Sequence, residues 1–289
     1  MYVIKKKYKD ISYFYLCECV RTDGKTEQRT LEKFKNELPE KYKKYYLPNV
    51  DAGNLDYLNT IYHGDSFELM EQFKKQGLKV NLILTDPPYN IAQASKLTIQ
   101  GNDIVSNHKA WGNEYEDNKP DAEAKEWLKR LANYCFDILD DEGSCVIFFD
   151  RAKPHLLEEF HKLFCYRNSI VFIKSNPIPH IRKTNYRSTF EQCFWFTKSD
   201  NYFLNFVSQK DMCNVFHGSV GGNKKTTHPN EKYIWMIEPL IKRHSRKDDI
   251  VFDPFAGSGV VAEICKRYKR KYILCDQNKK YLIQAKNRL

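Results

Sequence analysis

The segment Leu82-Ile83-Leu84-Thr85-Asp86-Pro87-Pro88-Tyr89-Asn90 runs from an apolar stretch into a carboxylate, two prolines, an aromatic ring and a carboxamide. Proline fixes φ and has no N–H. The pair therefore holds the nearby carbonyls rigidly and leaves them free to accept hydrogen bonds. Asp86 adds a second acceptor, and Tyr89 offers a flat face for stacking. Two acceptors beside an aromatic platform suit a planar group bearing an amino substituent, such as a nucleobase. A rigid turn closing a strand would account for a bare Asp-Pro-Pro, but Tyr89-Asn90 following an apolar run weighs against so plain a role.

A second segment, Ile250-Val251-Phe252-Asp253-Pro254-Phe255-Ala256-Gly257-Ser258-Gly259, reads as a strand, a glycine turn and the start of a helix. Gly257 and Gly259 let a ligand approach the backbone closely. The next apolar run ends at Asp276, 19 residues beyond Gly257. At about 20 residues an acid reaches ribose hydroxyls in nucleotide-binding units. Taken alone, Gly-x-Gly-x-x-Ala with Asp276 also fits a nicotinamide dinucleotide site or a tight strand–helix turn.

Both segments need a sheet to place them. Hydrophobic patterning predicts strands at 58–63, 80–85, 144–149, 169–174, 192–197, 250–252 and 271–275. Helices are expected over 67–76, 122–139, 154–163, 232–244, 259–268 and 280–289. That alternation argues for a mostly parallel sheet covered on both faces, with ligands beyond the carboxyl ends of its strands. Residues 1–50 read as an appended N-terminal hairpin-helix element, and 51–289 as the main α/β domain. The hairpin is Ile11–Val20 and Thr26–Thr30 around Asp23-Gly24, a strong two-residue turn signal, and a charged helix is expected over Leu31–Lys44. Residues 92–118 are polar and show little periodicity, as functional loops do, and 200–228 read as irregular. Ser175–Thr189 is a basic loop.

With 19 Tyr, 18 Phe and 4 Trp in 289 residues, the chain is not of the disordered class. Its longest apolar runs are strand-sized, and its start lacks the features of a signal peptide. Nine scattered cysteines without a Cys-x-x-Cys pair point to reduced thiols in a cytoplasm and to no metal site. The net charge of +10 divides into +5 over residues 1–50, −9 over 51–150 and +14 over 151–289. Such asymmetry fits a polyanionic partner, nucleic acid first, and equally a solvated lysine-rich surface.

Together the two strand ends resemble the β group of S-adenosylmethionine-dependent DNA amino-methyltransferases. That family carries Asp-Pro-Pro-Tyr, here Asp86–Tyr89, ahead of Phe-x-Gly-x-Gly, here Phe255–Gly259. Tyr62-His63-Gly64-Asp65 and Gly143–Phe148 fit its minor motifs. His228-Pro229-Asn230-Glu231-Lys232 is similar to its His-Pro-Thr-Gln-Lys-Pro, with Asn230 for threonine and Tyr233 for the final proline. The resemblance implies an α/β, Rossmann-like sheet of seven strands ordered 3-2-1-4-5-7-6, one of them antiparallel, with helices on both faces. It places a mobile DNA loop at 91–124 and a target-recognition region at about 200–228.

It further implies catalysis by Asp86, Pro87, Pro88 and Tyr89. S-adenosylmethionine would be held by Asp65, Asp86, His228, Lys232, Asp253, Phe255, Ala256, Gly257, Ser258, Gly259 and Asp276. Asn90, Arg182, Lys183, Arg187, Lys224 and Lys225 would meet DNA. The implied reaction is site-specific methylation of the exocyclic amino nitrogen of a flipped-out adenine in double-stranded DNA. Aspartate rather than serine at the head of the first motif favours adenine. Methylation of cytosine-N4, of RNA adenine, and a non-catalytic DNA-binding subunit are the alternatives. A homodimer and a cognate restriction enzyme are the candidate protein partners.

Overall fold

The computed structural model describes residues 2–8, 11–22, 25–39, 57–88, 96–100, 103–107, 120–150, 153–177, 186–221, 226 and 231–289. Three strands, β1 (Tyr2–Tyr8), β2 (Ile11–Thr22) and β3 (Lys25–Lys35), form an antiparallel sheet. Asp23-Gly24 lie outside the described residues, but Thr22 pairs with Lys25 across them, the register of a two-residue connection.

The helix expected from Leu31 does not form. Residues 31–35 continue β3, pairing Phe34 with Phe14 and Lys35 with Tyr13. Leu31, Phe34 and Leu38 are spaced as one face of a helix, but pairing with β2 prevails, and Phe34 packs beside Phe14, Leu16 and Leu38. Asn36, at φ 64°, ends the strand, and Pro39 would have broken a helix in any case. Residues 40–44 lie outside the described residues.

The main sheet contains, in chain order, β4 (Thr60–His63), β5 (Val80–Thr85), β8 (Leu139–Phe148), β9 (Cys165–Lys174), β10 (Phe190–Thr197), β11 (Val215–Gly218), β12 (Ile250–Asp253) and β13 (Lys271–Asp276). A separate hairpin, β6 (Lys96–Gln100) and β7 (Asp103–Asn107), forms inside the region read as unstructured. The strand order is β11-β9-β10-β8-β5-β12-β13-β4. β4, β13, β12, β5 and β8 run parallel, and β10 is antiparallel to both its neighbours. From β4 to β9 this is the expected seven-strand order. The eighth strand, β11, corrects the expectation of seven: it joins the edge parallel to β9, within the segment read as irregular.

Alternate side chains of the central strands enter two cores. Leu82, Leu84, Val146, Val251 and Leu274 pack against α4 (Ile234–His244), α5 (Val260–Arg267) and α6 (Lys279–Asn287). Ile83, Cys145, Ile147, Phe252 and Ile273 pack against α1 (Ser66–Gln76), α2 (Asp121–Ile138) and α3 (Glu158–Leu163). Strands buried on both faces become near-continuous apolar runs, which is how Val80–Leu84 and Cys145–Phe149 read. Among the described residues, no helix is long and apolar enough to cross a membrane.

Candidate active site

Four adjacent parallel strands, β5, β12, β13 and β4, deliver four acids to one edge of the sheet. Asp86 follows β5, Asp253 ends β12, Asp276 ends β13 and Asp65 lies just beyond β4. Three strand spacings set that row at about 14 Å, the span of an extended nucleoside with a short side chain. β5 stops where it does because Pro87 and Pro88 cannot donate to a ladder.

The glycine turn is tied down by these acids. Gly257 N–H donates to Asp276 Oδ2 and Asn278 N–H to Asp276 Oδ1, both at 2.8 Å. Phe255 N–H donates to Asp253 Oδ1 at 3.1 Å, and Ala256 N–H to the Cys275 carbonyl at 2.9 Å. Gly257 and Gly259 have φ of 46° and 72°, where a side chain is costly. The Phe255 ring lies 5.4 Å from Trp127. Asp65 caps α1 through Phe67 N–H at 2.7 Å and accepts Gln277 Nε2 at 3.3 Å. The Ser258 carbonyl accepts Arg288 Nη1 at 3.3 Å, and that guanidinium also holds Glu231 at 2.7 Å and Glu263.

Burial raises the Asp253 carboxyl to about 8, with the charges of Asp86 and Asp276 adding to the effect. Burial raises Asp276 as well, against the backbone N–H groups that favour its charge. Acids so disposed, with a backbone turn and an aromatic ring, suit a ligand offering cationic and hydroxyl groups. The nearby guanidinium of Arg288 is engaged with Glu231, Glu263 and a carbonyl rather than turned to an anion.

Beyond β5, Lys232 Nζ lies 2.9 Å from Asp86 Oδ2 and 3.0 Å from Glu191 Oε2. The structure thus brings Asp86 and Lys232 together at one end of the site and Asp253, Phe255–Gly259, Asp276 and Asp65 at the other. Pro87 is buried beside Asp86. Arg187 is exposed, and its guanidinium donates to the Pro177 carbonyl. Tyr89, Asn90, Arg182, Lys183, Lys224, Lys225 and His228 lie outside the described residues. Sequence reading passed over Glu191, Lys174 and Arg288. The one sign of them was the charged Glu191 near the start of a largely apolar strand.

Comparison with known proteins agrees with this geometry. The Type II methyltransferase M2.LlaDCHI of Lactococcus lactis subsp. cremoris is 29% identical over 249 residues, covering 79% of this chain and 88% of that protein. M2.DpnII of Streptococcus pneumoniae is 26% identical over 248 residues, covering the same shares. The crystal structure of M1.HpyAVI in complex with SAM superposes with a TM-score of 0.58 at 25% identity, covering 79% of this chain and 98% of that one. The cytosine-N4-specific PvuII DNA methyltransferase shares the fold, with a TM-score of 0.60 at 18% identity over 80% of this chain and 86% of that one. Residues 80–287, from β5 through the final helix, match the DNA methylase family of N6 and N4 methyltransferases, and the chain belongs to that family.

Proposed function

We propose that the protein is a site-specific DNA methyltransferase that transfers a methyl group to the exocyclic N6 nitrogen of an adenine flipped out of duplex DNA. Its cofactor is S-adenosylmethionine, which supplies an electrophilic methyl on a sulfonium. The acids along the sheet edge suit that ligand, which carries a cation and ribose hydroxyls but no phosphate. Asp276 would meet the ribose and Asp65 a neighbouring group, while the turn at Gly257–Gly259 admits the amino-acid part.

The amino nitrogen of adenine is a poor nucleophile because its lone pair is delocalised into the ring. Asp86 and a carbonyl of the Pro87-Pro88 segment would accept its two hydrogens and draw the nitrogen toward tetrahedral geometry. The lone pair would then be free to take up the methyl group that the sulfonium releases, and the nitrogen's surplus proton would pass to Asp86. Positioning and preorganised electrostatics carry this step, with proton acceptance secondary. The target atom is out of reach inside a duplex, so the base is flipped, and Tyr89 would stack on it for about 1–3 kcal/mol. The segments 91–124 and 200–228, with Asn90, Arg182, Lys183, Arg187, Lys224 and Lys225, would contact the DNA.

The observation that carries adenine is Asp86 itself: an aspartate heads the motif at the carboxyl end of β5, with the Lys232 ammonium 2.9 Å from its carboxylate. Expressing the gene in a methylation-free host and resolving the nucleosides of its DNA by mass spectrometry is expected to show N6-methyladenine. N4-methylcytosine in its place would move the target to cytosine.

A pH dependence follows from Asp253. With its carboxyl near 8, it is mostly protonated at neutral pH in the free protein. A bound cation favours the carboxylate, so binding expels the proton. Affinity for S-adenosylmethionine should therefore rise with pH, by up to about tenfold per unit below 8, and level off above it. Calorimetry at pH 7 in buffers of different ionisation enthalpy should report proton release, which Asp253→Asn abolishes. Equal affinity at pH 6.5 and 8.5 would count against Asp253 as a cofactor contact.

A further inference from the structure

The charges around Lys232 continue past it. Lys174 Nζ lies 2.9 Å from Glu191 Oε1, Glu191 Oε2 lies 3.0 Å from Lys232 Nζ, and Lys232 Nζ lies 2.9 Å from Asp86 Oδ2. The four side chains come from the end of β9, the start of β10, the turn before α4 and the end of β5. None is more than 28% exposed, and their signs alternate. Lys232 also stands 5.0 Å from the centroid of Phe148, and its charge reaches the Cys193 thiol. Burial disfavours the charge on Lys232, but Asp86 and Glu191 more than offset this and raise it above the usual lysine range. Burial opposes the charge on Glu191 too, yet Lys232 and Lys174 bring it down to about 2.

We propose that Glu191 is a positioning residue: braced by Lys174, it anchors the Lys232 ammonium against Asp86 and so fixes where that carboxylate meets the amino group of the target base. An ammonium on a flexible four-carbon stem does not by itself fix a carboxylate. Held between acceptors on two different strands, it does, because an ammonium has three donors to share between them. Glu191 acts through Lys232 and touches no reacting atom. This rests on the methyltransferase reading for its consequence, but the charge chain can be tested without it.

The test is Glu191→Gln, followed as tritiated methyl transfer from S-adenosylmethionine to duplex DNA between pH 6 and 10.5. At pH 7.5 kcat should fall about tenfold or more, as small misplacements at a reacting centre do, with KM for S-adenosylmethionine kept within about threefold. The alkaline limb should move down by at least one unit, since Lys232 loses one of the two charges that hold its proton. Carbon-13 NMR of labelled lysine, with the Lys232 signal assigned by its loss in Lys232→Met, should show that side chain titrating at lower pH in Glu191→Gln than in the wild type. A wild-type rate and pH profile overturns the proposal. So does a lowered rate with the alkaline limb unmoved and thermal stability reduced, the pattern of a merely structural role. Should Glu191→Gln not fold, Glu191→Asp decides: a reduced kcat with KM kept supports the anchor, and an unchanged kcat overturns it. A wild type that methylates no DNA would sink the functional reading, while the NMR titration would still stand as the test of the chain.

Discussion

Replacing Asp86 with alanine is expected to lower methyl transfer at least about 10³-fold while S-adenosylmethionine still binds within about threefold of the wild-type affinity. Two losses combine. The amino group of the base forfeits an acceptor that pulls its hydrogens out of conjugation, comparable to losing one preorganised donor from an oxyanion hole, which costs about 10²–10³ in kcat. It also forfeits the proton acceptor, a role worth about 10²–10⁴. Because both effects fall on the same side chain they overlap, and about 10³, or roughly 4 kcal/mol, is the lower bound. Cofactor binding should survive because Asp253, Asp276 and the glycine turn hang on one another through Gly257, Asn278 and Phe255 rather than on Asp86. Lys232 keeps Glu191 at 3.0 Å, so no lone charge is left buried to unfold the site. Tritium transfer to duplex DNA beside calorimetry with the cofactor checks both halves. Near-normal transfer would remove Asp86 from the mechanism, and joint loss of transfer and binding would recast it as a cofactor ligand.

The strands that hold this chemistry were legible because burial on both faces demands uninterrupted apolar residues, and Pro87-Pro88 and Asp253-Pro254 mark where they must end. Their order was not legible from composition or periodicity. It came with the family resemblance, and the register of Leu82 with Val251 and of Asp253 with Leu274 bears it out. β3 is hard to tell from a helix because Leu31, Phe34 and Leu38 also fall at helical spacing, and only Pro39 argues against one. β11 could not be seen in advance. Val215-Phe216-His217-Gly218 forms a strand because β9 presents an edge to it, which is a tertiary fact. The same holds for the charge chain at Asp86. Glu191 stands 41 residues from Lys232 in sequence, and no local spacing marks the two as partners. Arg288 is equally remote from Glu231, 57 residues away, and only the packing of α6 against the glycine turn brings them together.

That packing makes Gly259 the most sensitive position in the cofactor turn. Its φ of 72° lies in the left-handed region, which costs a residue with a side chain about 1–2 kcal/mol. A Cβ built there would stand 2.5 Å from Ala285 Cβ and 3.1 Å from Ala285 Cα, so α6 would have to move. Overpacking of this kind adds about 1–3 kcal/mol. Gly259→Ala is therefore expected to lose about 2–5 kcal/mol of stability, read by urea denaturation. It should also weaken S-adenosylmethionine binding, because Arg288 one turn further along the chain donates to the Ser258 carbonyl and shifts with Ala285. The two contributions separate in a double mutant. Ala285→Gly alone should cost about 1 kcal/mol through helix propensity, yet added to Gly259→Ala it should recover the steric part and leave the backbone part. A double mutant less stable than Gly259→Ala by that full helix-propensity cost of about 1 kcal/mol would mean that the φ angle alone fixes glycine here. Recovery of cofactor affinity along with stability would show instead that the turn holds its ligand only while α6 can pack closely against it.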